Sequence, residues 1–293
     1  MENTNLSAPV DISMFSVFNG KGHSFGVIWP AVLINLIGIP GQLMNVFVVY
    51  VTLRNRSMRS TCNYLLAMLS FFEFLHQTGH LVALYVALSG INFIPYLMSM
   101  NFQIQAMFGL HAAQIALMAI ALDRLLSVLL PVMSRNFKPR HYMLFVTVPC
   151  FSIGIFGAVN CYLVVLSNPH LPVTGHMSDL FTVDTISEPF NDICLCSNII
   201  NVVCYVVIGL MLRMSLKTIG MDQKYNRRIY KALVAIVLVV LGGYLINVVF
   251  GKFIVNSGLY GTSIEKWYGT QIFCAYPAAI AAASHAPILY SFR

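Results

Sequence analysis

Charge is what this sequence holds least of: Asp, Glu, Lys and Arg make up 9% of its 293 residues, while 58% are hydrophobic. A soluble domain carries about a quarter charged residues to cover its wetted surface. The shortage excludes water as the main solvent of the folded chain. Other absences narrow the class further. None of the seven cysteines stands in a CxxC pair with distant histidines, so neither a zinc site nor a thioredoxin-like redox motif is expected. Residues 1–26 are polar and mixed, without a basic stretch leading into a short apolar run, so no cleaved signal peptide is apparent. The net charge of +7 is scattered over short loops rather than gathered on one face, which argues against nucleic acid as a partner. No internal repeat or low-complexity tract is present.

What the chain does have is apolar length. Hydrophobic segments run over approximately 27–53, 62–88, 95–130, 141–166, 193–216, 229–255 and 267–292, each near or above the roughly 20 residues needed to span a bilayer core. Between them the basic residues alternate. Arg54, Arg56 and Arg59 fill the first loop, Arg135, Lys138 and Arg140 the third, and Lys217, Lys224, Arg227 and Arg228 the fifth. The second, fourth and sixth hold Asp179, Asp184, Glu188, Asp192 and Glu265, with Lys252 and Lys266 nearby. By the positive-inside rule the odd loops are cytoplasmic. The expected fold is therefore an all-α membrane protein: a seven-transmembrane helix bundle over 27–293, preceded by an extracellular segment 1–26, with the amino terminus outside and the carboxyl terminus cytoplasmic. The sequon at Asn5 falls outside, so Asn5 is the expected glycosylation site, whereas that at Asn55 falls in a basic loop. Residues 167–192 hold Pro169, Pro172, Gly175 and Pro189 and read as an irregular outer lid.

Polar residues within the spans are the candidates for function. Glu73 lies eleven residues into the second segment, about 16 Å deep, where an ionisable group needs a partner or a proton. Asn45 sits at a similar depth on the first helix, within reach of a hydrogen bond to it. Asp123 and Arg124 interrupt the inner end of the third segment. A snorkelling arginine held by its neighbouring aspartate is one reading, a simple interfacial anchor. His76 and His80 stand one turn apart, but no carboxylate or cysteine motif accompanies them, so no metal is expected. With Gln103, Met107, His111, Asn198 and Tyr276 they sit at depths consistent with a pocket opening outward between helices, or with ordinary helix contacts. Pro277 and Pro287 should kink the alanine-rich last segment.

These residues resemble the rhodopsin-like G-protein-coupled receptors, and within them the nematode serpentine chemoreceptors of the Srsx class. The likeness runs from about Gly38 to the end. It is carried by CNYLLAMLSFFEFLHQTGHL (Cys62 to Leu81), MFGLHAAQIALMAIALDRLLSVLLPV (Met107 to Val132) and NRRIYKALVAIVLVVLGGY (Asn226 to Tyr244). The resemblance implies that Asn45 and Glu73 stand for the conserved polar pair of the first two helices, and that Asp123 and Arg124 form the pair whose arginine meets the G protein. It further implies that Tyr244 takes the place of a ligand-responsive tryptophan, and that Pro287 and Tyr290 belong to the Asn-Pro-x-x-Tyr motif with Ala286 replacing its asparagine. Leu125 replaces a common tyrosine. No cysteine stands near Ser99, so the family's disulfide to the second outer loop is unavailable to Cys194 or Cys196. Ala113 and Ala286 put a sodium site in doubt. No acid near Asn226 and Arg227 restrains Arg124, which leaves Asp123 as its obvious partner. The chain ends three residues after Tyr290, so no eighth helix is expected in it.

The implied function is a chemosensory receptor in the plasma membrane that binds a small extracellular ligand and activates a heterotrimeric G protein, without enzymatic activity or cofactor. The seventh segment lacks a lysine for retinal, and Ala106 stands where amine receptors carry an aspartate. A neutral or weakly polar ligand is thus expected. A ligand-gated channel or transporter would show more intramembrane charge along one path, an intramembrane aspartyl protease would need a second buried acid, and a non-signalling relic would explain the lost motifs.

Overall fold

The computed structural model describes residues 11–56, 60–130, 138–181, 184–218, 239, 242–251 and 263–291. The chain opens with a short helix, α1 (Asp11–Phe18), followed by α2 (Phe25–Arg54). Next come α3 (Thr61–Thr78), α4 (His80–Leu88), a two-residue strand β1 (Ile94–Pro95), α5 (Tyr96–Leu129) and α6 (Pro139–Ser167). A second strand β2 (Pro172–Val173) and a 3-10 turn (Met177–Phe181) lead into α7 (Asp184–Thr218). The remainder is α8 (Gly242–Val249), α9 (Ser263–Thr270), a π-helical turn (Gln271–Ala275) and α10 (Tyr276–Ser291).

Among the described residues, four helices can cross a membrane by length and composition: α2, α5, α6 and the stretch Asp192–Met211 of α7. Their apolar side chains turn outward in quantity, with Phe25, Leu36, Leu43, Phe145 and Leu163 all exposed, as expected where the surrounding solvent is lipid. The other expected spans are built differently. The second is divided at Gly79 into α3 and α4. Most of the sixth lies outside the described residues. The seventh is interrupted by its π turn, which ends two residues before Pro277. A proline lacks the N–H that would reach back one turn and crowds the carbonyl there, and a wider turn accommodates both faults.

The division at Gly79 has a packing cause. A Cβ at Gly79 would sit 2.6 Å from the Met177 sulfur and 2.8 Å from the Ala106 Cβ, so only glycine lets the loop before α7 and the side of α5 come so close. Beyond it the chain restarts as α4, and Asn92, in the left-handed region at φ 64°, turns the chain by donating to the Phe18 and Gly22 carbonyls at 3.0 and 2.7 Å.

α5 is the central rod, packed on α3, α6 and α7. Small residues bring the backbones together, and Phe72, Phe108 and Phe151 fill the space with edge-to-face ring contacts at 5.5–5.8 Å, each adding about 0.5–1.5 kcal/mol beyond area burial. The amino-terminal segment, expected only as polar sequence, contributes α1, whose Met14 is buried with Val27, Ala83, Phe93 and Trp267.

Residues 168–181, expected as an irregular lid, form a cap folded onto one end of the bundle. β2 pairs antiparallel with β1, Ile94 opposite Val173. The expected irregularity stops short of 192, because α7 begins at Asp184. None of the seven cysteines is in a disulfide, so polar contacts hold the cap without a covalent tie.

Candidate functional site

Three groups of residues carry the polar chemistry. The first lies at the cap. Asp179 is buried and accepts from the Thr174 amide at 2.8 Å, the Thr174 hydroxyl at 2.6 Å and the Trp267 indole at 3.2 Å. Burial pushes its carboxyl up from the ordinary value, against the pull of those donors. His176 stacks edge-to-face on Trp267 at 5.3 Å, and burial lowers its imidazole to about 3. Gln271, aimed by the π turn, donates to Ser178 at 2.6 Å. From the third span Gln103 donates to the Gly175 carbonyl and the Ser99 hydroxyl at 2.9 Å each, and the Tyr96 hydroxyl reaches the Leu180 carbonyl at 3.0 Å.

The second group is the buried acid and its neighbours. Glu73, on α3, accepts a hydrogen bond from the Tyr244 hydroxyl of α8, while its other oxygen lies 3.1 Å from His76 Nδ1. The His80 ring lies 5.7 Å from that of His76 across the Gly79 break. Asn45 does not turn to Glu73 as expected. Its amide donates to the Ala282 carbonyl of α10 at 3.3 Å, because α2 packs against α10 at this level and Tyr244 and His76 already occupy the acid. A carboxyl this deep is costly unless it is paired, and here it ties α3 to α8.

The third group is the Asp-Arg pair. Successive residues on a helix point about 100° apart. Asp123 therefore faces α6, where the Tyr142 hydroxyl donates to it at 2.9 Å, and Arg124 faces α3, where its guanidinium donates to the Cys62 sulfur. The expectation that Asp123 holds Arg124 is thus corrected: each has a different partner on a different helix.

The seven expected pocket residues separate. His76 and His80 come together, and Gln103 belongs to the cap. Met107 is buried in an apolar cluster with Val173, Met177 and Leu180. His111 lies 2.7 Å from the Met107 carbonyl, and its ring fills the space a Cβ at Gly157 would need, which turns it to α6. Asn198 is buried on α7 with neither amide atom paired among the described residues. The Tyr276 hydroxyl points at the Pro30 carbonyl of α2, 3.5 Å away. Pro287 is exposed on α10. The Tyr290 side chain, Asn5 and the basic residues Lys224, Arg227 and Arg228 lie outside the described residues. Sequence reasoning passed over His176, Trp267, Gln271, Cys62 and Tyr142. One of only two tryptophans in the chain, next to a loop rich in acids, was the available signal for the first two.

Long lipid-facing helices, a capped end and a buried carboxyl linking separate helices define a polytopic membrane protein of receptor type. The match to known families is specific: the model for the serpentine type 7TM GPCR chemoreceptor Srsx covers residues 35–291, and the chain belongs to that family. It is a receptor family rather than an enzyme family. A search of curated proteins finds no match.

Proposed function

We propose that the chain is a chemosensory G-protein-coupled receptor of the plasma membrane. Seven helices with the amino terminus outside would bind a small extracellular ligand near the cap and activate a heterotrimeric G protein at the Arg124 end. The observation that carries this reading is the buried linkage His76–Glu73–Tyr244. It starts one turn below His80 at the cap and ends on α8, part of the sixth span. A ligand that moves the cap or the His80 level therefore acts on a helix whose displacement opens the opposite end. Glu73 spends its oxygens on these partners and does not line an open path, which disfavours a channel.

Arg124, exposed at the far end with a thiol as partner, would meet the G protein. Asn45, bonded to the Ala282 carbonyl, ties the first span to the last helix, against which α8 would move. The test is ligand-dependent nucleotide exchange in cells expressing the chain with a promiscuous G protein, calcium and membrane current being read together. Arg124→Ala should abolish the calcium response while surface expression is retained. A current that survives both this substitution and removal of the G protein would make the protein a channel.

A further inference from the structure

Two imidazoles at the cap end keep ring nitrogens that the described fold does not pair. His80 is 5% exposed and His176 1% exposed. Both ring nitrogens of His80 and Nε2 of His176 lack a hydrogen-bond partner among the described residues. Leaving such groups buried and unpaired costs about 1–3 kcal/mol each. The two residues meet where the Gly79 break touches the cap: a Cβ on Gly79 would lie 2.6 Å from the Met177 sulfur, which brings His80 and His176, the chain neighbours of those two residues, to the same level.

The surrounding charges are committed elsewhere. On α3, Glu73 is held by Tyr244 and His76. On the cap, Asp179 is held by Thr174 and Trp267. α2, α4, α5 and α10 bring no Asp, Glu, Lys or Arg to this level, α5 contributes only His111, which is turned to α6, α9 carries Glu265 and Lys266 beside Trp267, and on α7 Asp192 is exposed. Among the described residues, what is left for a ligand at this level is two imidazoles with unpaired ring nitrogens and no uncommitted buried acid to balance a cation.

We propose that the ligand is a small carboxylic acid, bound between His80 and His176 together with one proton. The inference rests on the receptor reading above. In water near neutrality such an acid is a carboxylate, since its pKa is close to the Asp and Glu range of about 4. It takes up one proton on entering. That proton resides on an imidazole, which donates a charge-assisted hydrogen bond to the carboxylate, and the complex as a whole is neutral. No isolated charge is buried, so the desolvation cost that would exclude a bare carboxylate is avoided. A primary amine meets two groups of its own sign once it is protonated and finds no counter-ion. An ester or amide satisfies the donors but gains no charge assistance. The low ordinary protonation of buried His176 keeps the empty site neutral until the acid arrives.

The test is a straight-chain carboxylic acid series with matched methyl esters and primary amides. It is run on the full chain in two ways: as thermal stabilisation of the purified receptor in lipid nanodiscs, and as G-protein nucleotide exchange. Between about pH 6 and pH 7.5 the acids should bind about tenfold more tightly for each unit of acidification, one proton being taken up per ligand. Esters and amides should bind at least tenfold more weakly and show no pH slope. His80→Gln and His176→Gln, each able to keep one hydrogen bond, should flatten the slope in the variants that retain the wild-type melting temperature. Esters equal to acids, acid binding without a pH slope, or no stabilisation by any acid would overturn the proposal. pH-linked acid binding with no exchange would uphold it and sink the receptor reading. Exchange driven only by neutral analogues would do the reverse.

Discussion

The two ends of the bundle are fastened in different ways. At the cap end a buried carboxylate, a strand pair, an indole, two glutamines and a tyrosine hydroxyl hold residues 168–181 down, all without a disulfide. At the Asp-Arg end one tyrosine holds the aspartate and one thiol touches the arginine. The cap contacts are buried, where a hydrogen bond is strong and its loss costly. Arg124 is exposed, where water competes for every donor. The lesson is a division of labour. Much of the energy available to a ligand is stored at the cap, and the far end is latched lightly enough for a change of a few kcal/mol to release it.

The sharpest way to break that contrast is acid. The folded-state value of His176, about 3 against 6.5 unfolded, means the unfolded chain binds more protons between those limits. Stability contributed by the neutral ring is therefore present above about pH 6.5 and lost as pH falls toward 3. The full span is worth up to about 5 kcal/mol. Asp179 works the other way, since its raised value makes the folded state the better proton binder above 3.8, so its protonation offsets part of the loss. Measured relative to the intrinsic chemical rate at each pH, hydrogen exchange over residues 168–181 should accelerate from pH 6.5 to 4.5 while that of α5 near Asp123 does not change. His176→Gln should remove most of the acceleration. Uniform acceleration along the chain would mean that the two ends are not separately fastened.

Next in size is Asp179→Ala, which leaves the Trp267 indole and the Thr174 amide buried without an acceptor. The expected loss is about 2–4 kcal/mol, read as a fall in melting temperature in nanodiscs. Asp179→Asn should recover part of it, because an amide oxygen still accepts from the indole. Equal melting temperatures for wild type and Asp179→Ala would show that the strand pair alone holds the cap.

Much of the architecture was legible because lipid imposes a simple rule on sequence: the apolar runs that became α2, α5, α6 and α7 are long, and the buried acid stands out by its rarity. What was not legible depends on neighbours that no local pattern names. Gly79 reads as an ordinary small residue of a membrane helix until Met177 and Ala106 are known to press on it. Asn45 and Glu73 share a depth but face different helices, and depth was the one coordinate the sequence supplied. Asp123 and Arg124 are adjacent in the chain, which made a pair of them on paper, whereas helical geometry sends them to α6 and α3. The lid itself was legible as a loop, but its fastening was not, since it comes from residues as far apart as Tyr96, Asp179 and Gln271.

The smallest expected effects lie at the Asp-Arg end, and they decide whether a weak latch is a functional one. Tyr142→Phe removes one hydrogen bond to a partly buried carboxylate and should cost about 1 kcal/mol. Cys62→Ala removes a thiol contact to an exposed guanidinium and should hardly move the melting temperature. If the latch matters, both should raise ligand-independent nucleotide exchange by a few-fold, because freeing either member of the pair lowers the cost of the active arrangement by about 1 kcal/mol, a factor of about five. Cys62→Ser keeps a donor and acceptor near Arg124 and should stay close to wild type. Unchanged basal exchange in all three would confine control to the cap and to the Glu73–Tyr244 linkage, and would leave Arg124 as a contact surface rather than a restrained element.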